Sequence, residues 1–111
     1  MSSSIDLEPR HRNQAITILQ EHAAGASVWV FGSRTTGRAR PFSDLDLVVQ
    51  ADAPLSLTQQ TTLANAFEDS DLPFKVDVLD WHMLTPKFQR VIIDQCVHFW
   101  GEEVGLEPSQ L

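Results

Sequence analysis

Residues 44–50 read Asp-Leu-Asp-Leu-Val-Val-Gln, a strand-like run headed by two aspartates one residue apart, and ten residues separate it from an upstream Gly32-Ser33. Successive side chains of a strand point to opposite faces, so Asp44 and Asp46 share one face and Leu45, Leu47 and Val49 take the other. Positions two apart in a strand lie roughly 6 to 7 Å from each other. Like charges that close destabilise each other unless something positive sits between them. Mg²⁺ suits the place: it is hard, prefers oxygen, and is held by one or two carboxylates together with substrate phosphates. A bare Asp-x-Asp also serves as solubilising charge on a strand edge or as a helix cap, and the pair alone does not decide between these.

A third aspartate sharpens the choice. Asp77 lies inside Lys75-Val76-Asp77-Val78-Leu79-Asp80, a second strand-like run. An aspartate turned into an apolar core would be costly there. With Val76 and Val78 facing the core, Asp77 faces the other way, and pairing of the two strands would bring it to Asp44 and Asp46. Three carboxylates and two Mg²⁺ leave a net positive charge for a triphosphate, the arrangement in which paired ions serve both attacking and leaving oxygens. Asp80 is a weaker candidate, since at the strand end beside Trp81 it can simply cap a turn.

Gly32-Ser33 supplies what a phosphate needs. A glycine at a strand end admits close approach to the backbone, the serine adds a hydroxyl donor, and a helical turn starting here would present N–H groups to an anion. Gly32 and Gly37 have the separation of a P-loop, but Arg38-Ala39 stand where Lys-Ser/Thr is required, so that motif is rejected. Three of the eight Lys/Arg, namely Arg34, Arg38 and Arg40, fall in this loop, although the chain carries a net charge of −7. An acidic protein with a local basic patch suits a small anion and disfavours long nucleic acids; a solvated surface loop is the plain alternative.

The 111 residues, 42% hydrophobic and 21% charged, predict one folded domain over 1–111 with a core at about 9–100. One cysteine, Cys96, fits a reducing compartment. No apolar run suffices for a membrane span or a leader, so a cytoplasmic protein is expected. Pro9 opens a first helix that Gly25 ends. Strands follow at 27–32 and 44–50, a helix at 56–70 with Leu57, Leu63 and Phe67 on or near its buried side, and a strand at 75–80. A last helix begins near Pro86, where Phe88, Val91, Ile92, Cys96 and Phe99 match the i, i+3, i+4 pattern. The order predicts a small α/β (α+β) layer: three strands, the first two antiparallel neighbours, with helices on one face. Trp29 is expected in the core, and Phe99 and Trp100 either there or at a partner surface. His11, His22, His82 and His98 lack metal-ligand spacing, and Cys96 is expected as a small core residue of the last helix.

Gly32-Ser33, ten residues, then Asp44-Leu45-Asp46 is similar to the G-S-x10-D-x-D signature of the polymerase-β-type nucleotidyltransferase superfamily. With the preceding helix and the later "KVDVLD", roughly residues 12 to 98 resemble its minimal members, the minimal nucleotidyltransferases. That resemblance implies the nucleotidyltransferase fold with a three-stranded mixed sheet. It implies Asp44, Asp46 and Asp77 as metal ligands and catalytic carboxylates, two Mg²⁺ ions, and Gly32, Ser33 and Arg34 at the phosphates of ATP. Thr35-Thr36 depart from the pattern, since many relatives carry a second basic residue there. The resemblance further implies a HEPN-domain toxin as partner, with AMP transferred from ATP to a hydroxyl of that toxin. Two other readings stay open: a non-catalytic antitoxin that neutralises its partner by occlusion, and an aminoglycoside-type enzyme acting on a small molecule.

Overall fold

The computed structural model describes residues 5–103 and 105–107. Helix α1 (Pro9–His22) starts with proline in its first turn and is followed by Gly25 at φ 88°. Strand β1 (Ser27–Phe31) leads into a four-residue helical turn, α2 (Ser33–Thr36), and a loop returns as β2 (Leu45–Gln50). Helix α3 (Leu57–Glu68) carries a full capping box: the Ser56 hydroxyl accepts from the Gln59 N–H, and the Gln59 side chain accepts from the Ser56 N–H. Strand β3 (Val76–Asp80), a 3₁₀ turn at Trp81–Met83, helix α4 (Pro86–Gln95) and strand β4 (Val97–Trp100) complete the described elements.

The sheet has the order β3-β2-β1-β4. β1 is antiparallel to both β2 and β4, and β2 is parallel to β3. The antiparallel β1–β2 pair agrees with the short loop between them. The fourth strand corrects the expected three. α4 stops at Gln95, and Cys96 is its C-cap, not a residue of the helix body. Val97 to Trp100 then pair with β1, so Phe99, expected on the last helix, is instead a buried strand residue. Trp100 packs half-buried against the same core as Phe99.

Helices also cover both faces, where one was expected. Val28, Val30, Leu45, Leu47 and Val49 form one core with Ala15 and Leu19 of α1 and Leu63 and Phe67 of α3. On the opposite face Trp29 and Val48 pack against Trp81 and Ile92, with Phe31, Leu79, Ile93 and Cys96 around them. Leu47 and Val48, fully buried on opposite faces, show why β2 reads as a nearly unbroken apolar run: it is a central strand covered on both sides. Leu57, by contrast, is 79% exposed at the first turn of α3.

Asp80 closes the far end of the sheet. One of its oxygens accepts from the Leu55 N–H at 2.7 Å and the other from the His82 N–H at 3.0 Å. The side chain is buried, so Asp80→Ala leaves two donors unpaired in poorly solvated surroundings. A loss of about 3 kcal/mol is expected, read from the shift of the urea unfolding midpoint. His82 and His98 hold structural positions, His82 Nε2 lying 2.6 Å from the Ala51 carbonyl and His98 edge-on to Trp29.

Candidate active site

Register brings the acids together. Asp46 and Asp77 are direct Cα partners across the parallel β2–β3 pair, so both side chains project from the same face, that of Val48 and Leu79. Asp44 immediately precedes β2 and is exposed. Electrostatics ties all three: burial pushes the Asp46 carboxyl above the ordinary aspartate range, the charges of Asp77 and then Asp44 push it further, and Lys75 pulls it back. Asp46 thus carries a charge that its surroundings disfavour, which is the condition for recruiting a cation.

Opposite Asp46 stands the glycine. Gly32 has φ 84° and ψ −151°, a backbone conformation open in practice only to glycine. A Cβ at this position would come within 2.5 Å of Asp46 Oδ2. The carboxylate therefore lies directly against the turn that begins α2. Several bonds hold this turn. The Gly32 carbonyl accepts from the Thr35 hydroxyl at 3.0 Å and the Thr36 hydroxyl at 3.2 Å, and the Gly32 N–H donates to Gln95 Oε1 at 3.1 Å. Thr35 and Thr36, where the resemblance implies a second basic residue, thus fasten the loop. Ser33 is the first residue of α2 and half-buried. Gly37, the other glycine of the rejected P-loop, ends α2 at φ 77°.

Arg34 departs from expectation. Instead of reaching out to a phosphate, its guanidinium turns inward: it donates to the carbonyls of Asp6 at 2.7 Å and Ser43 at 2.8 Å and stacks 4.4 Å over the Phe74 ring. It is 5% exposed. The planar fork matches several carbonyls at once, so Arg34 ties the N-terminal segment and the 37–43 loop to α2 and places Asp44 from behind.

The fit to a metal rests on the donor set. Three carboxylates on neighbouring segments, one of them held charged against its surroundings, suit a hard divalent cation. As the side chains stand, among the described residues no three acidic, His or Cys groups are close enough together to hold an ion. Asp77 Oδ1 lies 3.3 Å from Lys75 Nζ. That pair is exposed, and exposed ion pairs contribute only about 0 to 1 kcal/mol, so exchanging the ammonium for a stronger cation costs little. The sequence did not single out Lys75 or Gln95. Lys75 was legible, since it shares the face of Asp77 two positions on, whereas Gln95 reaches Gly32 across 63 residues and left no local signal.

Known proteins place these features in a family. The model of the family described as "Polymerase beta, Nucleotidyltransferase" matches residues 13–101. The chain is 40% identical over 94 residues to the "Probable protein adenylyltransferase MntA" of Haemophilus influenzae, covering 83% of this chain and 82% of that protein. Among solved structures, it superposes with a TM-score of 0.70 at 25% identity on a chain of a toxin–antitoxin crystal structure with AMP-PNP, covering 83% of this chain and 74% of that one. It shares the fold, with a TM-score of 0.63 at 22% identity, of a chain in the complex of a tri-AMPylated Shewanella oneidensis HEPN toxin with an MNT antitoxin, covering 82% of this chain and 70% of that one. The match runs from within α1 through β4, the whole sheet and the Gly32-Ser33 turn with it, and on that ground the chain belongs to the polymerase β nucleotidyltransferase family, among its minimal nucleotidyltransferases.

Proposed function

We propose that this protein transfers AMP from ATP, with Mg²⁺, to a hydroxyl of a HEPN-domain toxin, acting as the antitoxin of that pair. The observation that carries the proposal is the placement of Asp46: against Gly32 on one side, in register with Asp77 on the other, and electrostatically coupled to Asp44. The similarity to a protein adenylyltransferase and to a toxin–antitoxin chain crystallised with AMP-PNP supports the choice of nucleotide and partner.

Asp44 and Asp46 would hold the metal, with Asp77 joining after release from Lys75. The bound cation would neutralise triphosphate charge and polarise the α-phosphate. Gly32 and Ser33 receive the β- and γ-phosphates, where the absence of a Cβ lets the backbone approach closely. Arg34 positions this turn from within the fold. The acceptor oxygen attacks the α-phosphorus, the bond from that phosphorus to the bridging oxygen breaks, and pyrophosphate leaves with the electron pair. Asp77, beside Asp46 on the neighbouring strand, takes the hydroxyl proton. Catalysis of this kind consists mainly of positioning and charge compensation.

Two labelled ATP preparations test the reaction. Incubated with a HEPN-domain toxin, the protein should transfer label from the α-phosphate of ATP and none from the γ-phosphate. Neutralisation of the toxin with neither label transferred would instead favour occlusion without chemistry.

A further inference from the structure

A strip of apolar side chains leads from the half-buried Phe31 beside Asp46 to the exposed Phe88 and Val91, and we infer that Phe88, with Phe31 and Val91, forms the surface on which the nucleobase stacks. The inference rests on the nucleotidyltransferase reading above. Phe31 is the direct cross-strand partner of Asp46, so their side chains leave the same face of the sheet, about 5 Å apart at Cβ. Its ring meets that of Phe88 edge to face, with centroids 6.2 Å apart and planes at 85°. Aromatic residues thus lead from the catalytic carboxylate to α4 without interruption.

The same side of α4 is anchored to the phosphate turn. Phe88, Val91 and Gln95 fall at i, i+3 and i+7, along one side of the helix. Gln95 accepts from the Gly32 N–H, while Ile92 beside this strip is fully buried against the sheet. Phe88 remains 39% exposed and Val91 45% exposed. Burying such side chains is favourable, and these two forgo part of that gain next to a charged site. A flat, apolar-faced ligand joined to a phosphate at Asp46 would cover them. A purine attached through ribose to the α-phosphate meets both requirements, and every base offers a π-face to an aromatic ring.

Calorimetric titration of the full chain with ATP and with inorganic tripolyphosphate, each with Mg²⁺, separates the base from the phosphates. In Phe88→Ala, ATP affinity should fall by about tenfold or more, the range of base stacking on an aromatic side chain, with tripolyphosphate binding unchanged. Phe88→Trp should retain ATP affinity, and Phe88→Leu, which keeps apolar bulk without the ring, should lose most of it. Unchanged ATP affinity in Phe88→Ala and Phe88→Leu would overturn the stacking surface alone, as it would if their toxin binding weakened instead, which would mark the strip as a protein contact. Failure of the unaltered protein to bind either ligand would overturn the nucleotidyltransferase reading beneath it.

Discussion

Asp46→Asn is expected to reduce AMP transfer by about 10³-fold and, in the same protein without divalent cations, to raise the melting temperature. The two effects have one cause. The loss of transfer follows from removing the central carboxylate, through which charge stabilisation of several kcal/mol is gathered, and about 4 kcal/mol corresponds to a thousandfold in rate. The gain in stability follows from the raised pKa of Asp46, which results from burial and from the charges of Asp77 and Asp44. Because the carboxyl titrates higher in the folded state than in the unfolded chain, its ionisation opposes folding. That penalty grows as pH rises from the ordinary aspartate value of 3.8 through the raised folded value, and stays constant above it. The variant should therefore melt above the wild type at pH 7 and approach it as the medium is acidified towards pH 4. Added Mg²⁺ should stabilise the wild type more than the variant. Differential scanning fluorimetry over pH, with and without Mg²⁺, reads all three trends.

Gly32→Ala should be the most damaging single change on the phosphate side. At φ 84° and ψ −151° a side chain is strained by about 1 to 3 kcal/mol. The added Cβ would also lie 2.5 Å from Asp46 Oδ2, a separation that forces the carboxylate off the turn. The turn proposed to receive the phosphates and the central acid are displaced together, so transfer should fall by about 10²-fold or more, on the scale of losing one preorganised charge-stabilising contact. Chemical denaturation should show a loss of about 2 kcal/mol. Gly37→Ala, in the left-handed region at φ 77° and ψ 13° with nothing within 4 Å of the added Cβ, should carry a smaller backbone strain and leave Asp46 in place. In one transfer assay it should therefore keep most of the activity that Gly32→Ala loses.

The parts of this site that were legible in the sequence are those encoded by local spacing. Alternation along "DLDLVV" placed Asp46 opposite Leu47, and the same alternation turned Asp77 away from Val76 and Val78, as register in the sheet shows. The last element was misread because two periods coincide there. Phe99 follows Ile92 by seven residues, a helical interval, yet Val97-His98-Phe99-Trp100 also alternates as a strand. Only pairing with β1, nearly 70 residues earlier, selects the second. Arg34 illustrates a different limit. An arginine after Gly-Ser can reach a phosphate or satisfy backbone carbonyls, and the choice was made by Asp6, Ser43 and Phe74, none of which a local pattern connects to it. The second covered face arises likewise, because Trp29 and Val48 acquire their cover from Trp81 and Ile92, far along the chain.

Mn²⁺ binding, followed by electron paramagnetic resonance in the presence of AMP-PNP, tests most directly whether the three acids act on one ion. Asp77→Asn removes the acid of the three that pairs with Lys75, and its side chain is exposed enough for the fold to survive the change. A tenfold to hundredfold weakening of Mn²⁺ affinity is expected, with AMP-PNP retained at the Gly32-Ser33 turn. Mn²⁺ held as tightly by Asp77→Asn as by the unaltered protein would contradict a shared metal site.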